Sequence, residues 1–187
     1  MSGIFLALGL ASVIGLGLTA ASIGRGTGAG TTKLGAWQAA PKSGTLDADP
    51  YSRAVNARLG ALPLALADGI SLIADTDDDG VTLDGRCTVR VTGAMPAARY
   101  WTIALVDTSY HSVLSTAGRQ VFTSYEVVRQ GSPAIDVVVA AGARPGNWLP
   151  TGGIERYHLV LRLYDTPSAT TLQAGQDLPT VRRVSCP

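Results

Sequence analysis

The sequence predicts a mainly β protein, built as an antiparallel sandwich or barrel. Three observations carry that prediction. From about residue 69 onward, apolar and polar residues alternate with period two in short runs. The runs recur at near-regular spacing, and the 22 glycines and 10 prolines supply the turns between them. No strand–helix alternation of the kind a parallel α/β sheet needs is present. At 187 residues, the length suits one domain with something left over.

Residues 4–23, "IFLALGLASVIGLGLTAASI", carry no charge. Twenty residues at about 1.5 Å each span roughly 30 Å, the hydrocarbon thickness of a bilayer. Residues 1–23 are therefore expected to be a retained transmembrane anchor. A cleaved signal peptide is the alternative, with a weak small-residue site at Thr19, Ala20 and Ala21. Ala7, Ala11, Gly15 and Thr19 lie four apart and share a helix face, a pattern that lets a second membrane helix approach. Arg25 and Lys33 follow the segment, so the positive-inside rule taken alone would put the domain in the cytoplasm. The cysteines argue for the opposite side.

Residues 24–34 read as a flexible Gly/Thr-rich linker, and residues 35–187 as the sandwich domain. Within the latter, Asp49 is a good N-cap, Pro50 a good first helical residue and Gly60 a stop signal. A short amphipathic helix is predicted at 50–59. Its apolar face of Tyr51, Val55, Leu59 and Leu62 is expected to pack on the main domain. Predicted strands are 69–75, 87–93, 99–107, 111–117, 134–140 and 155–165, with a capping-box turn at Thr123–Glu126.

Cys87 and Cys186 stand behind an export-like segment, which points to one disulfide in an oxidising compartment. Two reduced thiols in the cytosol are the alternative. Asp75, Asp77 and Asp79, followed by Gly80, match the first half of a calcium loop. The twelfth position is Arg86, where a bidentate Glu is required. A β-hairpin turn is expected, with a weak calcium site as the alternative; no other cofactor is implied. A net charge of +1 gives no basis for nucleic-acid binding.

On the last long strand, Tyr157, Leu159, Leu161 and Leu163 should face the core, which turns His158, Arg162 and Tyr164 outward. The outward trio reads as an exposed, cross-strand-paired face. The competing reading is a ligand site, with Arg162 gripping an anionic group. Trp148 lies between Pro145 and Pro150 in "RPGNWLP", where packing over the core end is expected and a ligand platform is the alternative. Trp101, on strand 99–107, would join that platform if it converged with Trp148 and Arg162. No nucleophile–base motif, Walker motif or dinucleotide motif appears.

The blocks "DADPYSRA", "DGVTLDGRCTVRVTG", "ARYWTIALVD", "GNWLPTGG", "LVLRLYDTP" and "LPTVRRVSC" occur in that order. Together they resemble the bacterial family known only as domain of unknown function 1214, from about Gly35 to Cys186. The resemblance implies a jelly-roll-like β-sandwich, commonly in proteins of the cell envelope. Members are often fused behind a second unknown domain, which is not expected in this chain, and the family brings no activity with it. The expected function is thus a membrane-tethered periplasmic sandwich at the bacterial inner membrane. It would be a non-enzymatic binding or accessory module, or a small subunit beside other membrane proteins. A hydrolase or carbohydrate-active enzyme working near His158, Arg162 and Tyr164 is the alternative.

Overall fold

A computed structural model of the chain describes residues 2–24, 30–129, 131–167 and 177–187. Helix α1 covers Ser2–Gly24 and helix α2 Pro50–Leu59. The strands are β1 (Thr32–Leu34), β2 (Trp37–Ala39), β3 (Gly69–Ala74), β4 (Thr88–Gly93), β5 (Tyr100–Val106) and β6 (Val121–Thr123). They continue with β7 (Ile135–Ala140), β8 (Asn147–Pro150), β9 (His158–Tyr164) and β10 (Thr180–Ser185). One sheet has six strands in the order β1-β2-β3-β9-β5-β6, and the other four in the order β10-β4-β7-β8. The chain crosses between them repeatedly, at β3–β4, β4–β5, β6–β7, β8–β9 and β9–β10. That alternation makes the sandwich jelly-roll-like.

The period-two pattern decides which face each sheet buries. Leu161 lies opposite Leu72 on β3 and Ile103 on β5, and all three are fully buried. In the facing sheet, Val91 pairs with Val137 and Val181, and these too are fully buried. Both inner faces contribute to a single apolar core. Trp37 fills part of it, and its indole N–H donates to the Pro179 carbonyl at 2.7 Å. A buried indole needs such a partner.

The disulfide forms as expected: Cys87 and Cys186 are bonded across 99 positions of sequence. It fixes the end of β10, the edge strand whose neighbour is β4. Helix α2 also forms where its signals predict it. Asp49 accepts from the Ser52 amide at 2.9 Å, and Gly60 closes the helix at φ +62°.

Several expectations need correction. The stretch 111–117 is not a strand. Asp107 turns the chain sharply by accepting from the Ser109 and His111 amides, and only Ser112 bridges back to Val106. Segment 113–114 then runs against Gly152, where an added Cβ would lie 2.6 Å from Val113, so β6 takes the place beside β5. The last long strand starts at His158, not 155. Thr32–Leu34, inside the expected linker, is strand β1; residues 25–29 lie outside the described residues. The predicted apolar face of α2 does not pack on the sandwich. Gly60 ends the helix before Leu62, Tyr51 stays exposed, and the neighbour of α2 is α1.

The sandwich is also not wholly antiparallel, because β8 joins β7 in parallel. A parallel neighbour normally needs a crossover of a dozen or more residues. Here Asn147 starts level with Val137, so the loop 141–146 has only about 10 Å of β7 to retrace. Pro145 and Gly146, the latter at φ +82°, make that return possible. Because "NWLP" is a strand, its neighbours point to opposite faces. Leu149 enters the core with no exposed surface, and Trp148 faces outward.

Candidate functional site

The outer face of the six-stranded sheet gathers most of the polar and aromatic side chains singled out from sequence. Alternation along β9 places His158, Val160, Arg162 and Tyr164 there. Cross-strand register sets their neighbours. Arg162 lies between Thr102 on β5 and Ser71 on β3, and Thr102 in turn pairs with Thr123 on β6. An exposed guanidinium is thereby flanked by two hydroxyl-bearing residues, with Thr123 next along the same cross-strand row. It forms no ion pair with any described residue. That leaves its planar donor fork available to a carboxylate or phosphate group.

On one side of this row stands a tyrosine cluster. Tyr100 and Tyr164 are directly paired, with ring centroids 5.7 Å apart, and Tyr125 packs on Tyr100 at 5.8 Å. Such tilted contacts suit the quadrupoles of the rings. Tyr125 comes from the Thr123–Glu126 turn. There the Glu126 carboxylate accepts from the Thr123 amide and hydroxyl, the reciprocal bond the capping box predicts.

On the other side sits His158, four residues from Arg162 and so about 13 Å along the strand. Buried Val160 stands between them. The His158 ring stacks on Tyr110 at 5.1 Å, and its Nδ1 is buried with no hydrogen-bond partner. Burial holds the imidazole pKa below its ordinary value, while the carboxylates of Asp75 and Asp107 pull the other way. The Tyr110 phenol is pushed up, by burial first and then by Asp75. Tyr110 itself has φ +64°, uncommon for a residue with a side chain. The Asp107 turn holds it there. Tyr110 carried no signal in the sequence beyond its place in a turn.

The two tryptophans do not join this face. Trp101 points into the core and is 4% exposed. Trp148 lies on the outer face of the opposite sheet, half-buried, its indole N–H donating to the Ala140 carbonyl at 2.9 Å. Trp148, Trp101 and Arg162 therefore do not converge. Beside Trp148, Asn147 has a structural task wider than holding its own turn. It accepts from the Val128 amide and donates to the carbonyls of Val128 and Asp136.

Three of the four aspartates in the acidic turn are engaged within the protein, Asp77 and Asp78 by backbone donors and Asp75 by a side chain. Asp77, 3% exposed, accepts from the Val81 amide at 2.8 Å and pairs with Arg183 at 3.3 Å. Asp78 accepts from the amides of Ala36 and Val181, which ties the β1–β2 turn to β10. Asp75 accepts from Gln38, and Asp79 is exposed. No three carboxylate, histidine or cysteine side chains among the described residues gather as a metal-ligand group. The turn closes a small hairpin of its own through a Thr76–Thr82 bridge, but it does not join β3 to β4, which lie in different sheets.

Along α1, Thr19 donates its hydroxyl to the Gly15 carbonyl, and Ala7, Ala11 and Gly15 are exposed. The helix is long and apolar enough to cross a membrane.

Comparison with known proteins bears on the fold. The chain is similar to a solved structure, the VPA0106 protein of Vibrio parahaemolyticus, at 18% identity and a TM-score of 0.59. The match covers 74% of this chain and 36% of that one. A putative uncharacterized protein from Burkholderia cenocepacia matches at 19% identity and a TM-score of 0.42, over 63% of this chain and 29% of that one. The chain thus spans about a third of the length of either. No curated protein matches. The family model described as "Protein of unknown function (DUF1214)" matches residues 68–168, a narrower span than the quoted blocks but over half of the chain, and the chain belongs to that family.

Proposed function

We propose that this chain is a membrane-tethered binding module whose sandwich faces the periplasm. The observation that carries the reading is α1. Every large apolar side chain from Ile4 to Leu18 is exposed, a surface that water does not tolerate and lipid does. The Cys87–Cys186 disulfide supports an oxidising compartment. The outer face of the six-stranded sheet is the binding surface, with Arg162 and its flanking hydroxyls receiving an anionic group and the tyrosines receiving its apolar part. The small-residue line Ala7, Ala11, Gly15 and Thr19 admits a neighbouring subunit in the membrane.

Fractionation tests the tether. The chain should stay in the membrane pellet through alkaline carbonate washing, and protease added to spheroplasts should remove the sandwich. Release by carbonate, or protection until the inner membrane is opened, contradicts the reading. A second reading, a hydrolase or carbohydrate-active enzyme, draws on His158, whose Nδ1 has no partner and whose ring is kept neutral by burial. If an activity screen finds turnover that His158→Ala abolishes, that reading replaces the first.

A further inference from the structure

We propose that the segment around α2 is a membrane-interface foot, in which Leu46, Tyr51 and Leu62 enter the headgroup–acyl boundary beside the end of α1. This rests on the reading of α1 as a membrane span. The sequence makes α2 amphipathic; Val55 and Leu59 are half-buried, whereas Tyr51 and the two leucines that flank the helix, Leu46 and Leu62, stay uncovered. Leu46 is 94% exposed, Leu62 93% and Tyr51 41%. Apolar side chains that open to water are ordinary when single, but these three belong to one small unit.

Three contacts hold that unit together. The Arg53 guanidinium donates to the Leu46 carbonyl, tying the loop before α2 to the helix. Gly44 presses so closely on the chain after α2 that an added Cβ would meet the Leu64 carbonyl oxygen at 2.1 Å. Arg58 reaches the end of α1, its Nη1 3.5 Å from where a Gly24 Cβ would stand. A guanidinium there also suits the negative end of the helix dipole.

The position along α1 selects the occupant. From Gly3 to Leu18 the helix is uncovered, whereas Ala21, Ser22 and Ile23 are half-buried. At about 1.5 Å per residue, a hydrocarbon layer of about 30 Å entered at Gly3 is left near Ser22. The α2 unit therefore begins at the level where the hydrocarbon ends. That is the depth at which tyrosines settle, and at which arginines extend their stems toward the headgroups. A second soluble protein would have to compete with lipid for the same surface.

The test uses the full chain in nanodiscs with acyl chains brominated near the headgroup, read by tryptophan fluorescence. Leu46→Trp, Leu62→Trp and, within α1, Phe5→Trp are compared with the unsubstituted chain, whose own tryptophans give the background. The added emission from Leu46→Trp and Leu62→Trp should fall about twofold in brominated lipid, as for a side chain at the interface. Quenching of Phe5→Trp with none at either leucine position overturns the foot and leaves the anchor standing. Absence of quenching at all three positions overturns the anchor as well.

Discussion

Removing the disulfide in a Cys87→Ala/Cys186→Ala double variant should cost the domain a large part of its stability. The bond closes a loop of 99 positions, from the start of β4 to the end of β10. For about 100 residues, the chain-entropy model puts the denatured-state penalty it imposes at about 4.7 kcal/mol. That figure is an upper value, because residual structure in the denatured chain reduces it. The assay is urea unfolding of the full chain in detergent, followed by the fluorescence of Trp37 and Trp101. With a slope of about 2 kcal/mol per molar urea, the midpoint should drop by about 1.5–2 M. The loss should also be felt locally. β10 is an edge strand, so the amides of Val181 and its neighbours should exchange faster than those of β9, which lies between two strands. A midpoint shift below about 0.5 M, with β10 amides as protected as before, would refute the argument that loop closure is what the bond contributes.

Arg183→Met should destabilise by about 3 kcal/mol, because it leaves the nearly buried Asp77 carboxylate without its cation, whereas Asp77→Asn should cost less. Equilibrium unfolding of both variants checks the order. Gly85→Ala should cost about 2 kcal/mol or more, since the new Cβ would lie 1.8 Å from the Ile154 carbonyl oxygen, an atom of the backbone that cannot step aside. A thermal midpoint within a degree of the parent would be inconsistent with that contact. His158 favours its neutral form in the folded state. Protons therefore bind the unfolded chain first, and stability should fall as pH drops below about 6.5, levelling off beneath the folded-state value. His158→Phe should flatten that part of the profile. The acid limb below it belongs to carboxylates such as Asp84, held down at about 2 by Arg86, and should survive the substitution.

What the sequence revealed and what it hid divide along physical lines. β3, β4, β5, β7 and β9 are six or seven residues long, alternate over most of their length and were legible within a few residues. β1, β2, β6, β8 and β10 were not, since strands of three or four residues give too little period to read, and β10 runs Thr-Val-Arg-Arg-Val with one buried valine. The α2 caps were written in Asp49, Pro50 and Gly60, but the partner of its apolar face was not, because amphipathicity does not name what it faces. The outward direction of His158, Arg162 and Tyr164 followed from the leucines beside them. So did the separation of His158 from Arg162, four residues along one strand; the stacking of Tyr110 on His158 did not, because it arises only through the Asp107 turn. Trp148 was misplaced because the prolines around it suggested a stiff loop, whereas the stretch pairs in parallel with β7. A one-residue shift in reading would have put Leu149 in the core.

The tether and the covalent link meet in one measurement. Intact cells are treated with a membrane-permeant alkylating agent under acid quench, the membranes are washed with carbonate, and the chain is examined by mass spectrometry. The expected result is a peptide pair joined through Cys87 and Cys186, in a chain that remains with the membranes and still carries residues 4–23. Alkyl groups on both sulfurs, or recovery of the chain in the wash, would contradict it.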